Sequence, residues 1–336
     1  MNRDTGYADP DRCAILRSGM TTIRKMKIIL AGGTGTMGLI LQQHFAERGD
    51  EVVVLTRRPG LKQHPKARNV RWDGRSSGVW SAELNEADVL INLVGRSVDC
   101  RYTTKNRALI LNSRVDATCV LGEAVAACAR PPKLWINLSS ATVYRHAEDR
   151  PMDEFTGELG SDFSPQVVLA WEKEFFWHTC EGTRQVAVRC AMVFSPHGGA
   201  FPRFAQLTRF GLGGHHASGK QFVSWVHEAD VSAFFQWLID TPDVDGIINL
   251  ASPHPLPESE LMHELRLRIK PLVAFNVPNR MLAIGAFFLR TETELVLKSR
   301  RVVPTRALEL GYRFEHEKIQ PALDALFERG AQLPIP

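Results

Sequence analysis

No apolar run in this 336-residue sequence approaches the roughly 20 residues that cross a bilayer. The longest candidate, Met281 to Leu289, is about half that length, so no membrane partner is expected. Residues 1 to 25 carry Asp4, Asp9, Asp11 and Arg12 and contain no apolar stretch of the secretory-leader kind. They read as a flexible N-terminal extension, with Met1, Met20 or Met26 as alternative starts. Cysteine is sparse and unpatterned: the six, at positions 13, 100, 119, 128, 180 and 190, form no C-x-x-C and sit mostly in apolar runs. That excludes a zinc or disulfide framework and predicts reduced core thiols in a cytoplasmic protein. Net charge is only +4 and is dispersed, which argues against nucleic acid. Internal repeats and low-complexity segments are missing. Tyrosine is scarce too. The four are Tyr7, Tyr102, Tyr144 and Tyr312, and four residues after each stand Asp11, Asn106, Glu148 and His316, so no Tyr-x-x-x-Lys exists.

What is present is an ordinary globular composition, 44% apolar and 23% charged, long enough for one large domain and a smaller one. The chain is organised around Lys25 to Arg58. Lys27-Ile28-Ile29-Leu30-Ala31 is a short β-branched run suited to a central parallel strand. Gly32-Gly33-Thr34-Gly35-Thr36-Met37-Gly38 follows at once, then a helical pattern from Leu39 to Arg48 closed by Gly49, then a second strand, Glu51 to Thr56. Glycines at 32, 35 and 38 between a strand and a helix let main-chain N–H groups approach a pyrophosphate, and the helix dipole favours its charge. The loop is therefore a dinucleotide site, with Gly32, Thr34, Gly35, Thr36, Met37 and Gly38 as contacts. A site for NAD(H) would place Asp or Glu after the second strand to hold the ribose 2′-hydroxyl. This chain offers Thr56-Arg57-Arg58 and no carboxylate until Asp73. Two guanidiniums suit a 2′-phosphate, although a solvated basic turn would read the same way. NADP(H) is favoured over NAD(H).

Further strands are expected at Val70–Asp73, Asp88–Gly95, Lys133–Leu138, Gln185–Met192 and Gly246–Leu250. A long helical stretch, Thr103 to Ala129, lies between the fourth and fifth of these chain-order strands and is stopped by Pro131-Pro132. Strands alternating with helices predict an α/β chain with a doubly wound parallel sheet and ligand across the strand C-termini. Leu93-Val94-Gly95 should run beneath the dinucleotide. The pattern loosens from about residue 195, where Gly198-Gly199, Gly211, Gly213-Gly214 and Gly219 punctuate the chain. Helices are expected over 257–269, 278–290 and 316–328. The organisation read from this is an extension (1–25), a nucleotide-binding Rossmann domain (26–195) to which 246–250 returns, and a mixed substrate or lid region (196–336).

With Gly32-x-x-Gly35-x-x-Gly38, Asn92-Leu93-Val94-Gly95 and Ser139-Ser140-Ala141-Thr142-Val143-Tyr144 in hand, the chain resembles an extended short-chain dehydrogenase/reductase. More narrowly it resembles the atypical branch known as epimerase family proteins, similar to NAD-dependent epimerases/dehydratases and carrying a C-terminal domain of unknown function. Arg189 to Val193, Gly198 to Pro202, Gly211 to Gly214, Ser224 to His227, Asn249 to Pro253, Arg301 to Pro304 and Gly311-Tyr312 support the resemblance, which runs from about 26 to 330. It implies a Rossmann core and an NADP-type cofactor.

In the superfamily a Ser, a Tyr and a Lys act together on a substrate carbonyl or hydroxyl beside the nicotinamide. The resemblance carries Ser140 onto the serine and leaves the Tyr-x-x-x-Lys positions as Val167 and Trp171; a register slip of two would bring Lys173 into play. Ser139 is expected beside the cofactor. Tyr144 and His227 are candidate proton donors, the latter because imidazole titrates near neutrality; a pocket-lining tyrosine and a backbone-bonded histidine are the plainer readings. Arg189 and Arg101 are candidates for an anionic substrate group. His215-His216 lies in a glycine-rich loop without a spaced acidic or thiol partner, so no metal is expected. Three functions fit: an NADP(H)-dependent oxidoreductase or epimerase on a small, sugar-like or anionic substrate; a non-catalytic NADP(H) sensor or scaffold; or a hydride-transfer enzyme whose proton comes from His227, Tyr144 or water. The resemblance also allows a monomer or a homodimer built on helices 103–129 and 162–180.

Overall fold

The computed structural model describes residues 24–60, 64–278 and 298–330. The expected helix 278–290, the first 23 residues, Cys13 and Tyr7 lie outside the described residues.

The apolar runs form β1 (Lys27–Ala31), β2 (Glu51–Thr56), β3 (Arg68–Arg71), β4 (Val89–Asn92), β5 (Leu134–Ser140) and β6 (Arg184–Cys190). Next come β7 (Met192–Ser195), β8 (Gly198–Gly199), β9 (Phe222–Val223), β10 (Trp225–His227), β11 (Gly246–Leu250) and β12 (Leu256–Pro257). Helices α1 (Thr36–Glu47), α2 (Thr104–Ala126), α3 (Phe163–Trp177), α4 (Phe201–Leu207), α5 (Glu228–Asp240), α6 (Glu258–Ile269), α7 (Thr305–Glu309) and α8 (Ile319–Gly330) connect and flank them.

Seven strands make one sheet in the order β3-β2-β1-β4-β5-β6-β11, every neighbouring pair parallel. The order in which the chain adds strands reverses between β1 and β4, the switch point at which such sheets bind ligands. The two-residue side-chain period explains why the strands read as unbroken apolar runs. Ile28 and Leu30 enter a core with Leu41 and Phe45 of α1 and Phe234 and Phe235 of α5. Ile29 and Ala31 enter the opposite core with Leu121 and Val125 of α2 and Phe175 of α3. Each of these buried Leu, Ile or Phe side chains contributes roughly 1.5–3 kcal/mol.

After β6 the chain builds a mixed sheet, β10-β7-β8, and an antiparallel pair, β12-β9. Trp225, Leu256, Leu261, Leu265 and Leu323 join β7, β10, α6 and α8 in a further core. β11 returns to the main sheet beside β6. Residues 298–303 stitch the two parts together: Ser299 Oγ donates to Ala147 O at 2.5 Å, Arg300 N to Phe222 O at 2.8 Å, and Met152 N to Arg301 O at 2.7 Å.

Several boundaries differ from expectation, among them β4, which ends at Asn92, and β6, which ends at Cys190. The third strand ends at Arg71 because Trp72 turns inward onto Trp80, and both indole N–H groups donate to Ser76 O. α2 stops at Ala126, before the proline pair. Among the described residues no helix is long and apolar enough to cross a membrane.

Candidate active site

The glycine loop is shaped by close approaches of main chain to main chain. Gly32 has φ +76°, and a Cβ there would stand 2.8 Å from Val94 Cγ2. A Cβ on Gly38 would stand 2.0 Å from Gly33 O, so α1 can pack on the loop only with glycine. Gly35 is different. It is exposed, and a Cβ there would meet nothing within 4 Å. No side chain caps the N-terminus of α1, and its first turn holds no acidic residue. The result is an open cradle of main-chain N–H groups at a helix start, the donor set that a diphosphate requires. Thr36 stands at the rim: a Cβ on Gly198 would stand 2.3 Å from its Oγ1, so β8 crosses directly over the loop. Thr34 and Met37 are half-buried, Met37 against the α1 core. Gln42, which sequence reasoning missed, is fully buried and props the loop by donating to Gly33 O at 2.7 Å.

At the end of β2, Thr56 is buried and its Oγ1 accepts from Arg58 N at 3.1 Å, which fixes the turn. Arg57 and Arg58 are exposed, and among the described residues no carboxylate pairs with either. On the other side of the loop, Asn92 Nδ2 donates to Asn137 Oδ1 at 2.7 Å and Thr118 Oγ1 at 3.0 Å, while its Oδ1 accepts from Val94 N at 3.1 Å. This ladder holds Leu93, Val94 and Gly95 beside the cradle, with Gly95 exposed.

The wall beyond β5 carries the largest departures from expectation. Glu172, unremarked in the sequence, is buried on α3 and collects three donors: Ser139 Oγ at 2.5 Å, Arg189 Nε at 2.9 Å and Arg189 Nη2 at 2.8 Å. Ser139 therefore spends its hydroxyl on Glu172 and does not offer it to a cofactor. Arg189 closes the knot with Nη1 on Tyr144 OH at 3.1 Å, and that hydroxyl donates to Asn249 Oδ1 at 3.0 Å. Burial draws the Arg189 pKa down, but the paired hydrogen bonds and charge of Glu172 outweigh it, and the net shift is upward. Burial raises the Tyr144 phenol, opposed by Arg189. Tyr144 is 1% exposed and its oxygen is held between two protein groups, Arg189 and Asn249, which makes it a bolt in the wall. Arg189 likewise binds Glu172 and not a substrate.

Val167 and Trp171 are buried, and Trp171 Nε1 donates to Thr118 Oγ1 at 2.9 Å, while Lys173 is exposed. Among the described residues no lysine takes the missing position. His227 bonds to the backbone. It is fully buried, caps α5 through Nδ1 accepting from Ala229 N at 3.1 Å, and lies with its ring 3.8 Å from that of His316.

A cavity of about 210 Å³ opens at the C-terminal ends of β5 and β6. Ser140, Thr142, Met192, Phe222, Lys298 and Arg300 are among the residues that line it. Ser140 is half-buried there, its Oγ 3.0 Å from Thr142 Oγ1 and accepting from Thr142 N at 3.2 Å. Lys298 pairs with Asp162. Glu258 borders the cavity and accepts from the buried His216, Nδ1 to Oε1 at 2.5 Å and N to Oε2 at 3.1 Å. His216 is thus a partner of a carboxylate in the wall. Neither Tyr144 nor His227 lines this cavity. The five described cysteines are free and half-buried, and Cys128, Cys180 and Cys190 pack against the cores. Cys119, Glu174 and His178, where α2 meets α3, have ligand atoms within 4.8 Å of one another.

Two family profiles cover most of the chain. The NAD dependent epimerase/dehydratase profile matches residues 28–251, which hold the cradle, β5, Ser140 and Arg189. The chain belongs to this family. A second profile, a domain of unknown function (DUF1731), matches residues 277–326. Among relatives, epimerase family protein SDR39U1 of Mus musculus is 30% identical over 307 residues, 89% of this chain and 98% of that protein. Epimerase family protein YfhF of Bacillus subtilis is 26% identical over 306 residues, covering 90% and 98%. The crystal structure of human epimerase family protein SDR39U1 (isoform 2) with NADPH superposes with a TM-score of 0.80 at 27% identity, covering 92% of this chain and all of that one. The UDP-N-acetylglucosamine 4-epimerase of Bacillus cereus, at 16% identity and a TM-score of 0.71, shares the fold.

For an epimerase/dehydratase family member the departures are concentrated in one place. The cradle is intact, the serine at the end of β5 faces a cavity, and the wall carries Glu172, Trp171 and a bolted tyrosine. The only local signal for Glu172 was its place beside an apolar Trp on a helix whose neighbours Val168 and Phe175 are buried.

Proposed function

We propose that this chain binds NADP(H) and is an oxidoreductase or epimerase for a small anionic or sugar-like substrate. The observation that carries the reading is Gly35: an exposed glycine with empty space where a side chain would stand, at the start of a helix whose first N–H groups no side chain caps. Main-chain donors from Gly32 to Gly38 would hold the diphosphate, Thr56, Arg57 and Arg58 the 2′-phosphate, and Leu93 to Gly95 the neighbouring floor. The NADPH seen with the human relative supports this choice. The cofactor supplies hydride chemistry when bound.

This chain's residues supply the rest. Ser140 and Thr142 present hydroxyls to the cavity, suited to hydrogen-bonding a substrate oxygen. Lys298 and Arg300 at its border favour negative charge. The volume, about 210 Å³, suits a small substrate. The division into a nucleotide-binding part (26–195) and a substrate part (196–336) belongs to the same proposal.

A second reading, a non-catalytic NADP(H) sensor, is favoured by one observation: Tyr144 is bolted to Arg189 and Asn249, and among the described residues no lysine contributes to its pKa. General acid–base help is typically worth about 10² to 10⁴ in rate. The test is direct. NADPH affinity is measured calorimetrically on wild type and Gly35→Ala, followed by turnover on ketones, enones and nucleotide sugars. Gly35→Ala should keep its melting temperature and lose NADPH. A wild type that binds neither NADPH nor NADH would end the proposal, and binding without turnover on any substrate would select the sensor.

A further inference from the structure

Arg114 on α2 is half-buried, with its guanidinium largely withdrawn from water. Its Nη1 donates to two carbonyls, Arg96 O at 3.2 Å and Ile110 O at 3.0 Å. Its Cζ lies 5.2 Å from the centre of the Trp171 ring. A Cβ on Gly95 would stand 3.0 Å from both Cζ and Nη2. The guanidinium therefore lies against both Gly95 and the Trp171 indole. Among the described residues no carboxylate pairs with it. Burial pushes its pKa down to about 10, so it stays charged at neutral pH while losing much of its hydration. Buried charges are ordinarily paired, because desolvation is costly. A fold that sets only carbonyls and an aromatic face beside it, and no anion among the described residues, leaves that charge for something else.

Its position says what. Val94 packs on Gly32, and Gly95 is the next residue along the crevice. The guanidinium thus stands beside the cradle at the C-terminal end of β4, on the β5 side of the switch point. Trp171 beneath it occupies the position that the superfamily gives to lysine. Gly95 has no side chain to keep Nη2 from the crevice. The aromatic face under the guanidinium holds its plane by cation–π attraction.

We infer that Arg114 is a cofactor-binding residue that takes the place of the missing lysine, its guanidinium donating to oxygen acceptors of the nicotinamide ribose-phosphate half of NADP(H). The inference rests on the NADP(H) reading above. It makes the loss of the Tyr-x-x-x-Lys pair a relocation of the cation from α3 to α2.

The experiment compares wild type, Arg114→Met and Arg114→Lys by calorimetric titration with NADPH and with 2′,5′-ADP, which lacks the nicotinamide half. Melting temperature is measured without nucleotide. Arg114→Met should bind NADPH about tenfold to a hundredfold more weakly, the range for hydrogen bonds from a charged donor. Its affinity for 2′,5′-ADP should stay within about twofold, and its unliganded melting temperature should hold or rise because a charge withdrawn from water has gone. Arg114→Lys keeps the charge without the fork and should fall between; it carries the test if the methionine variant does not fold. Unchanged NADPH affinity in the variants would overturn the inference and leave the cofactor reading standing. Parallel loss of both ligands with a lowered melting temperature would make Arg114 a structural cap on α2, which also overturns it. If wild type bound 2′,5′-ADP and NADPH with no affinity at all, both readings would fall together.

Discussion

Glu172→Gln should be among the most damaging single-atom changes available in this wall. Glu172 Oε1 takes Ser139 Oγ and Arg189 Nε, and Oε2 takes Arg189 Nη2. An amide can replace only one of those oxygens. With its nitrogen at the Oε2 position it would point donors at the donors of Nη2; with its nitrogen at Oε1 it would face both Ser139 and Nε. Arg189 and Glu172 have side chains only 6% exposed, so water cannot repair either arrangement. Removing one partner of a buried pair costs roughly 3–5 kcal/mol, most of it the penalty on the charge left behind. With one oxygen retained, about 3 kcal/mol is expected here, a large part of the 5–15 kcal/mol that typically holds a domain together.

The assay is urea unfolding followed by the fluorescence of the seven tryptophans, with the slope checked for constancy. The companion double variant, Glu172→Gln with Arg189→Met, removes the stranded charge. It should cost less than the sum of the single changes by about 2 kcal/mol or more, since contacting residues couple. A cost below about 1 kcal/mol for Glu172→Gln, or strict additivity in the cycle, would refute the reasoning that this pair is a unit.

Tyr144→Phe leaves Arg189 Nη1 and Asn249 Oδ1 without their shared hydroxyl, so a loss of about 1–3 kcal/mol is expected, with NADPH affinity unchanged; a tenfold loss of affinity at full stability would return Tyr144 to the ligand. Gly38→Ala forces a carbon to within 2.0 Å of Gly33 O; NADPH titration should show no binding and the melting temperature should fall, and a normal variant on both counts would mean the helix is not seated as described. Arg57→Ala with Arg58→Ala should shift preference from NADPH toward NADH by about thirtyfold, from roughly 1 kcal/mol per exposed ionic contact; retained selectivity in paired titrations would remove both arginines from the site. Burial pushes the Glu154 carboxyl up from 4.5, with N–H donors from Asn249 and Arg306 opposing. The ionised form is thus penalised on folding, and the associated stability, present below the unfolded pKa, is lost as pH rises through the folded one. The stability of wild type relative to Glu154→Gln should therefore fall as pH rises above the ordinary carboxylate value of 4.5, and a rising difference would reverse the sign assigned.

What the sequence made legible was local. Ile28-Ile29-Leu30 announces a strand buried on both faces because alternate side chains go to opposite cores. The cradle could be read because its chemistry is contained in seven consecutive residues, and the arginines because they follow directly on β2. The wall could not be read, because its partners are far apart in the chain: 17 residues separate Arg189 from Glu172, 45 separate Tyr144 from Arg189, and 105 separate Tyr144 from Asn249. Nothing near a lone glutamate says that an arginine from the next strand will bury it. His227 misled for a related reason. Its place after Trp225 and Val226 suggests a side chain aimed at a pocket, whereas the helix that begins at Glu228 needs an acceptor at its start, and the imidazole meets that need first.

The wall also narrows where chemistry can occur. Tyr144 and His227 are occupied within the protein, and Ser139 is spent on Glu172. Among the hydroxyl residues that line the cavity, Ser140 and Thr142 stand together at the end of β5, their oxygens 3.0 Å apart. A hydroxyl pair orients a substrate oxygen well but is a poor acid on its own. Catalysis by this chain would then require the substrate to bring its own acidic proton or an ordered water to bridge to the Ser140 hydroxyl. Ser140→Ala separates the two. If the serine only orients, Ala should raise KM with kcat nearly unchanged; if it relays a proton, kcat should fall about a hundredfold with KM intact. A variant with both constants unchanged would take Ser140 out of the site and leave the sensor reading.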